Sequence, residues 1–252
     1  MSEPFSLAGR VALVTGASRG MGAAIAVGLA EAGADVAVHG NTRSPEDTCA
    51  RVRALGRRAL PVSGDAADPA TPERLVRETV ERLGGLDVLV NNAGTIRRAP
   101  AAETSDEDWL AVVGVNLHAV FRSCRAAGRH MLARGRGKIV NVASLLAFQG
   151  GILVPAYAAS KGGVAQLTKA LANEWAGKGV NVNAIAPGYV RTDNTAALQA
   201  DPTRSRQILE RIPAGRWGEP ADVVGAAVFL CSPASDYVHG HVLVVDGGWM
   251  GR

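Results

Sequence analysis

Seven short apolar runs recur along this chain, and each of the first six is followed by a stretch long enough for a helix. The runs are VALVT (11–15), DVAVH (35–39), ALPV (59–62), LDVLV (86–90), KIVNVA (138–143), VNVNAIA (180–186) and HVLVV (241–245). Most are continuously apolar rather than alternating, as strands buried on both faces must be. Strands that alternate with helices build one parallel sheet with right-handed crossovers. The expectation is therefore an α/β fold of the Rossmann type: a seven-stranded parallel sheet with helices on both faces. Helices are predicted after the glycine-rich turn that follows the first run, stopping at Gly33, over 45–55, 71–83 and 105–133, around Tyr157 running on to 176, and over 221–230. Residues 192–211 read as an irregular helical flap. No repeat, low-complexity tract or linker interrupts the pattern, so 1–252 is expected to be a single domain carrying its own site.

Composition removes several function classes. With 252 residues, 47% of them hydrophobic and 20% charged, the chain can bury a large core. Its formal charge of +4 comes from arginines that alternate with apolar residues, such as Arg51, Arg53, Arg134 and Arg136. These read as solvated faces, and no nucleic-acid motif accompanies them. Cys49, Cys124 and Cys231 are widely spaced and form no CxxC. That pattern suits a reducing compartment and argues against a disulfide framework or a metal site. The opening residues MSEPFSLAGR lack the apolar core of a signal peptide, and no run approaches a membrane span of about 20 residues. A cytoplasmic protein without membrane or nucleic-acid partners is expected.

Three motifs carry chemistry. Gly16, Gly20 and Gly22, with Ser18, Arg19 and Met21 between them, lie between a predicted strand and a predicted helix. Glycines let the backbone approach a pyrophosphate, and a helix N-terminus offers free N–H groups to it. Asp65 follows the third run, where it can meet an adenine amino group or simply form a turn. Asn91 and Gly94 close the fourth run, on the side where open α/β sheets bind ligands. Tyr157 and Lys161 stand four residues apart, hence on one helix face. An ammonium there favours the phenolate and is expected to lower the tyrosine pKa. Ser144 ends the fifth run and can meet Tyr157 across a cleft. Alone, such a Tyr–Lys pair reads more readily as a surface tyrosine beside a salt-bridging lysine, and the rest of the chain reverses that.

TGASRGMG, NNAG, the Asn116 of VVGVNLHAVF, Ser144, YAASK and NAIAPGYVRT occur in that order across essentially the whole chain. In this the sequence resembles the short-chain dehydrogenase/reductase family. The resemblance implies an NAD(P)(H)-dependent oxidoreductase with Asn116, Ser144, Tyr157 and Lys161 as its catalytic four. Tyr157 would be the general acid/base, Lys161 would assist it and hold the ribose, Ser144 would orient the substrate oxygen, and Asn116 would bend its helix and hold a water. The cofactor would lie on Gly16, Ser18, Arg19, Gly20, Met21, Gly22, Asn41, Arg43, Asp65, Ala66, Asn92, Ala93, Gly94, Tyr157, Lys161, Pro187, Gly188, Val190 and Thr192. Relatives selective for NAD end the second strand with an acid. Here the sequence reads His39-Gly40-Asn41-Thr42-Arg43-Ser44, which leans toward NADP(H).

Less generic segments narrow the resemblance. NNAGTIRR, SLLAFQGGILVPAY, LANEWA, RIPAGRWGEP and VDGGWMGR resemble the members that act on 2-dehydro-3-deoxy-D-gluconate, 2-deoxy-D-gluconate or gluconate. A sugar-acid carboxylate needs a cationic partner. Arg97 and Arg98, just after NNAG, are the first candidates, with Arg191 and Arg216 in reserve. Gln149 can bond hydroxyls. Trp217 and Trp249 read as packing or subunit contacts. The alternatives are a reductase of carrier-bound 3-oxoacyl chains and a non-catalytic cofactor-sensing protein. Relatives of this kind are commonly tetramers, so a homotetramer is expected.

Overall fold

The apolar runs become strands β1 (Val11–Val14), β2 (Asp35–Gly40), β3 (Ala59–Ser63), β4 (Val88–Asn91), β5 (Gly137–Val142), β6 (Val180–Pro187) and β7 (Val242–Val245). In the computed structural model, which describes residues 3–252, they form one sheet in the order β3-β2-β1-β4-β5-β6-β7. All six neighbouring pairs are parallel. Strand order reverses between β1 and β4, which leaves a crevice beyond the carboxyl ends of those two strands.

Side-chain alternation divides the core between the two faces. Ala12 and Val14 of β1 join one cluster, whereas Val11 and Leu13 join the other. The first face is covered by α1 (Gly20–Glu31), α2 (Glu46–Ala54) and α9 (Val224–Cys231), through Leu29, Val52 and Leu230 among others. The second is covered by α3 (Thr71–Leu83), α5 (Ala119–Arg134) and α6 (Pro155–Trp175), through Leu75, Met131 and Leu171. Every residue of β1, β2, β4 and β6 is buried, which is why apolar side chains occur on both faces of these strands.

Two predicted helices take a different form. The helix expected over 105–133 is α4 (Asp106–Val113), a wider π-helical turn (Gly114–His118), then α5. Ser105 caps α4 by accepting the Asp108 N–H at 3.1 Å. The π turn contains Asn116, so the extra residue falls at a candidate site position, where such bulges concentrate. The flap expected over 192–211 resolves into a short 3-10 turn (Asp193–Thr195), α7 (Ala196–Ala200) and α8 (Pro202–Arg211). Pro202 cannot continue the preceding helix but fits the first turn of a new one. Asp201 caps that turn by accepting from the Thr203 and Arg204 N–H groups. Beneath the flap lies a third apolar cluster of Leu145, Ile208, Ile212, Trp217 and Trp249. Among the described residues no helix is long and apolar enough to cross a membrane.

Candidate active site

The crevice at the strand-order reversal holds a groove of about 460 Å³. Its floor is the turn from Gly16 to Gly22, and Asn41, Arg43, Asp65, Ala66, Asn92, Ala93, Gly94 and Thr192 form its walls. The turn demands glycine. Gly16 has φ +62°, and a Cβ there would stand 2.7 Å from the Ala93 Cα. A Cβ on Gly22 would collide with the Gly16 carbonyl and the Asn92 amide. Asn92 fixes the floor by donating to the Thr15 and Gly16 carbonyls at 3.0 and 2.9 Å. No side chain caps the start of α1, so its first N–H groups and the positive end of the helix dipole remain for an anion. These features fit the pyrophosphate of a dinucleotide. Arg19 from the turn and Asp193 from the flap pair across the groove at 2.8 Å.

No acid stands at the end of β2. Asn41, Thr42 and Arg43 face the groove there, and Arg43 keeps only a distant 3.9 Å contact with Asp47. That environment accommodates a 2′-phosphate better than a bare 2′-hydroxyl. Asp65 lies beyond the end of β3, and its Oδ1 accepts the Ala67 N–H at 2.9 Å, an Asx turn within reach of the groove. His39 is a contributor the sequence reading missed. Its buried ring accepts the Gly16 N–H and meets the Gly64 carbonyl, linking the glycine turn to the start of the Asp65 turn.

The groove continues into a narrow cleft that brings Ser144, Tyr157, Lys161, Pro187, Gly188, Val190 and Thr192 together with Met21, Asn92 and Gly94. β5 ends just before Ser144, and α6 presents Tyr157 and Lys161 one turn apart. Lys161 is buried, and its ammonium donates to the Val142 carbonyl at 2.6 Å. Asn116 is fully buried and grips the Thr95 backbone at both ends: Oδ1 accepts the N–H at 2.8 Å and Nδ2 donates to the carbonyl at 2.9 Å. Its other amide hydrogen goes to Ser160 Oγ at 3.2 Å. Its donors are therefore committed to protein partners, and Gly94 is wedged between its Oδ1 and the Lys161 ammonium.

The electrostatics correct one expectation. The Tyr157 pKa is raised, because burial outweighs hydrogen bonding with Ser144 and the charge of Arg98, both of which lower it. The effect of desolvation falls on the lysine too, whose pKa burial pushes down to about 8. Burial disfavours the charged form of both groups, so it moves the phenol up and the ammonium down.

Beyond Ser144 and Tyr157 the cleft opens into a second cavity of about 360 Å³, bounded by Gln149, Tyr189, Leu198, Ile208 and Trp249. Three arginines reach it: Arg98, Arg204 and Arg211. Arg97 does not; it lines the cofactor groove and pairs with Asp108 at 3.5 Å. The reserves Arg191 and Arg216 also lie outside this cavity, paired with Glu219 at 3.1 Å and Asp222 at 2.6 Å. Neighbouring arginines in the sequence thus face different compartments. Arg204 and Arg211 carried no sequence signal beyond helical spacing on a flap whose docking was not legible. Trp249 and Trp217 are buried and pack on Tyr189, at ring distances of 4.7 and 5.7 Å.

The chain belongs to the short-chain dehydrogenase/reductase family; the family model described as enoyl-(acyl carrier protein) reductase matches residues 16–250. It is 56% identical, over the full length of both chains, to a 2-dehydro-3-deoxy-D-gluconate 5-dehydrogenase of Pseudoalteromonas atlantica. It is 52% identical to the Bacillus subtilis enzyme of the same name, covering 100% of this chain and 99% of that one. A solved structure from Agrobacterium tumefaciens, provisionally assigned as a 2-deoxy-D-gluconate 3-dehydrogenase with bound NADP, superposes over the whole of both chains with a TM-score of 0.94 at 56% identity. The protein is accordingly an NAD(P)-dependent dehydrogenase that interconverts a hydroxyl and a ketone.

Proposed function

We propose that this protein interconverts a hydroxyl and a ketone on an open-chain sugar acid, of the 2-dehydro-3-deoxy-D-gluconate, 2-deoxy-D-gluconate or gluconate kind, with NADP(H) as the preferred cofactor. The observation that carries the reading is the second cavity. It opens directly on Tyr157 and Ser144, and three arginines and no carboxylate line it. A carboxylate taken out of water needs such a partner. The substrates of the curated relatives support the same reading, as does the NADP bound in the Agrobacterium structure.

In this reading a nicotinamide cofactor supplies the hydride acceptor or donor. Gly16 to Gly22 hold its pyrophosphate, Asn41 and Arg43 its 2′-phosphate, Asp65 and Ala66 its adenine end, Asn92 to Gly94 and Lys161 its central part, and Pro187 to Thr192 its amide end. Ser144 positions the substrate oxygen. Tyr157 takes the hydroxyl proton in oxidation and returns it in reduction, with the Ser144 hydrogen bond and the Arg98 charge favouring the phenolate. Asn116 fixes the backbone on which Lys161 and Gly94 meet. The chain works as a single domain, 1–252. We further propose a cytoplasmic homotetramer, supported by the exposed apolar Trp109, Leu110 and Phe121 on α4 and α5 and by three buried, free thiols.

The test is a kinetic screen with NADP+ and NAD+ of 2-dehydro-3-deoxy-D-gluconate, 2-deoxy-D-gluconate and D-gluconate, with acetoacetyl-CoA and NADPH as the contrast. Turnover of an acid with NADP+ preferred is the expected result. Efficient reduction of the thioester with no activity on any acid would transfer the protein to the acyl-reductase class.

A further inference from the structure

The cavity arginines differ from their neighbours in one respect. Arg97, Arg191 and Arg216 each have a carboxylate partner. Among the described residues, Arg98, Arg204 and Arg211 have none within ion-pair distance. Arg98 is held by the Asn194 carbonyl at 2.9 Å and Arg204 by Gln207 Oε1 at 2.7 Å. The Arg211 guanidinium lies 4.2 Å above the Trp249 ring. Guanidiniums that share a cavity without a counter-ion repel one another, and a bound anion relieves that repulsion.

α8 is built to deliver two of them. Arg204, Gln207, Ile208 and Arg211 all line the cavity. They occupy positions i, i+3, i+4 and i+7, one face of the helix. Ile208 is buried and docks that face on the third apolar cluster. The charges also differ in reach. All three arginines oppose the burial that raises the Tyr189 pKa, but of the three only Arg98 acts on Tyr157. Arg204 and Arg211 line this cavity but not the narrow cleft that gathers Ser144, Tyr157 and Lys161.

We propose that Arg204 and Arg211 of α8 form the seat for the substrate carboxylate, several bonds from the carbon that reacts beside Tyr157. The assignment rests on the sugar-acid reading and adds to it the residues that hold the acid group. The aromatic plane of Trp249 suits arginine, which stacks and binds carboxylates bidentately where lysine does not. Trp249 also donates to Gln149 Oε1 at 3.0 Å. That contact fixes the amide so that its NH2 is left for a substrate hydroxyl.

The test pairs 2-dehydro-3-deoxy-D-gluconate with the amide of the same acid, on wild type, Arg204→Leu, Arg211→Leu and Arg211→Lys. Each leucine variant should raise KM for the acid by about 10-fold, the loss of one charge-assisted bond, with kcat largely held. KM for the neutral amide should move by less than about 2-fold, and the lysine variant should recover part of the acid preference. NADP+ affinity and Tm, measured alongside, should match wild type and show that each variant is folded. If a folded variant changes acid and amide alike, or neither, α8 does not hold the carboxylate, while wild-type turnover of the acid keeps the sugar-acid reading intact. If wild type itself uses acid and amide equally well, the sugar-acid reading falls and the carboxylate seat with it.

Discussion

The His39 ring accepts the Gly16 N–H through Nδ1 at 3.1 Å, and its Nε2 stands 2.9 Å from the Gly64 carbonyl. One buried imidazole thus sets the height of the glycine turn against β2. The arrangement requires the neutral ring with the proton on Nε2, and burial lowers the His39 pKa accordingly, with Arg74 acting in the same direction and the Gly64 bond and Asp65 opposing.

Because the folded-state pKa is depressed, the unfolded chain binds the proton more readily. Stability and cofactor affinity should therefore be intact above the unfolded value of about 6.5 and decline as pH falls below it. His39→Ala should cost about 2 kcal/mol, from two lost buried hydrogen bonds and a cavity, and should remove this acid dependence. Thermal melts and NADP+ titrations between pH 5 and 8 would check both. An unchanged acid limb in the variant would assign that limb to another group.

Tyr157→Phe keeps the ring and removes the transferable proton. Turnover should fall by a factor on the order of 10² to 10⁴, with NADP+ affinity retained. Wild-type oxidation should rise with pH, since it needs the phenolate. In the cofactor-free protein Lys161 adds a separate signature. Its folded pKa is about 8 against an ordinary 10.5, so between these values the unfolded chain carries more protons and stability rises with pH. Lys161→Met should melt above wild type at pH 7, and that difference should shrink as pH climbs from 8 toward 10. A difference independent of pH would mean that the lysine is not titrating in the cleft.

How far the sequence led can be seen in particular residues. A continuous apolar run such as 11–14 was legible as a central strand because no side chain in it needed water. Asn116, Ser144, Tyr157 and Lys161 were legible as a group through the resemblance of their motifs to the family, and the fold brings Ser144, Tyr157 and Lys161 into one cleft with Asn116 against it. The direction of the Tyr157 shift was not legible, since it depends on how deeply the cleft excludes water. Nor was the compartment each arginine faces. Arg97 and Arg98 are adjacent in sequence, yet one meets Asp108 and the other reaches the Asn194 carbonyl. Arg204 and Arg211 depended on how an irregular flap docks, which only the packing of Ile208, Trp217 and Trp249 decides.

The cofactor preference is best probed at Asn41. Gly40 would be the simpler target for an introduced acid, but a Cβ there would overlap the Arg43 carbonyl oxygen. Asn41→Asp places the charge on the groove wall without that clash. NADP(H) binding should weaken by about 1–3 kcal/mol, the scale of charged hydrogen bonds lost or opposed, with NAD(H) spared or improved. Equal losses for both cofactors would show that the 2′-position lies elsewhere.

Trp249 should act on the substrate without touching the reacting atoms. It is buried, stacks under Arg211, packs on Tyr189 and donates to Gln149. Trp249→Phe keeps an aromatic surface for Arg211 but removes the indole N–H, so the Gln149 amide is free to turn. One buried hydrogen bond contributes about 1 kcal/mol. KM for the sugar acid should rise about 5-fold, with NADP+ affinity unchanged and kcat reduced less than KM is raised. Gln149→Glu tests the same bond from the other side. A carboxylate still accepts from Trp249, but it has no NH2 to donate and adds a negative charge beside the arginines. It should therefore impair binding of the acid more than Trp249→Phe does. If Gln149→Glu binds the acid as well as wild type, Gln149 does not face the substrate and the indole contact serves packing alone.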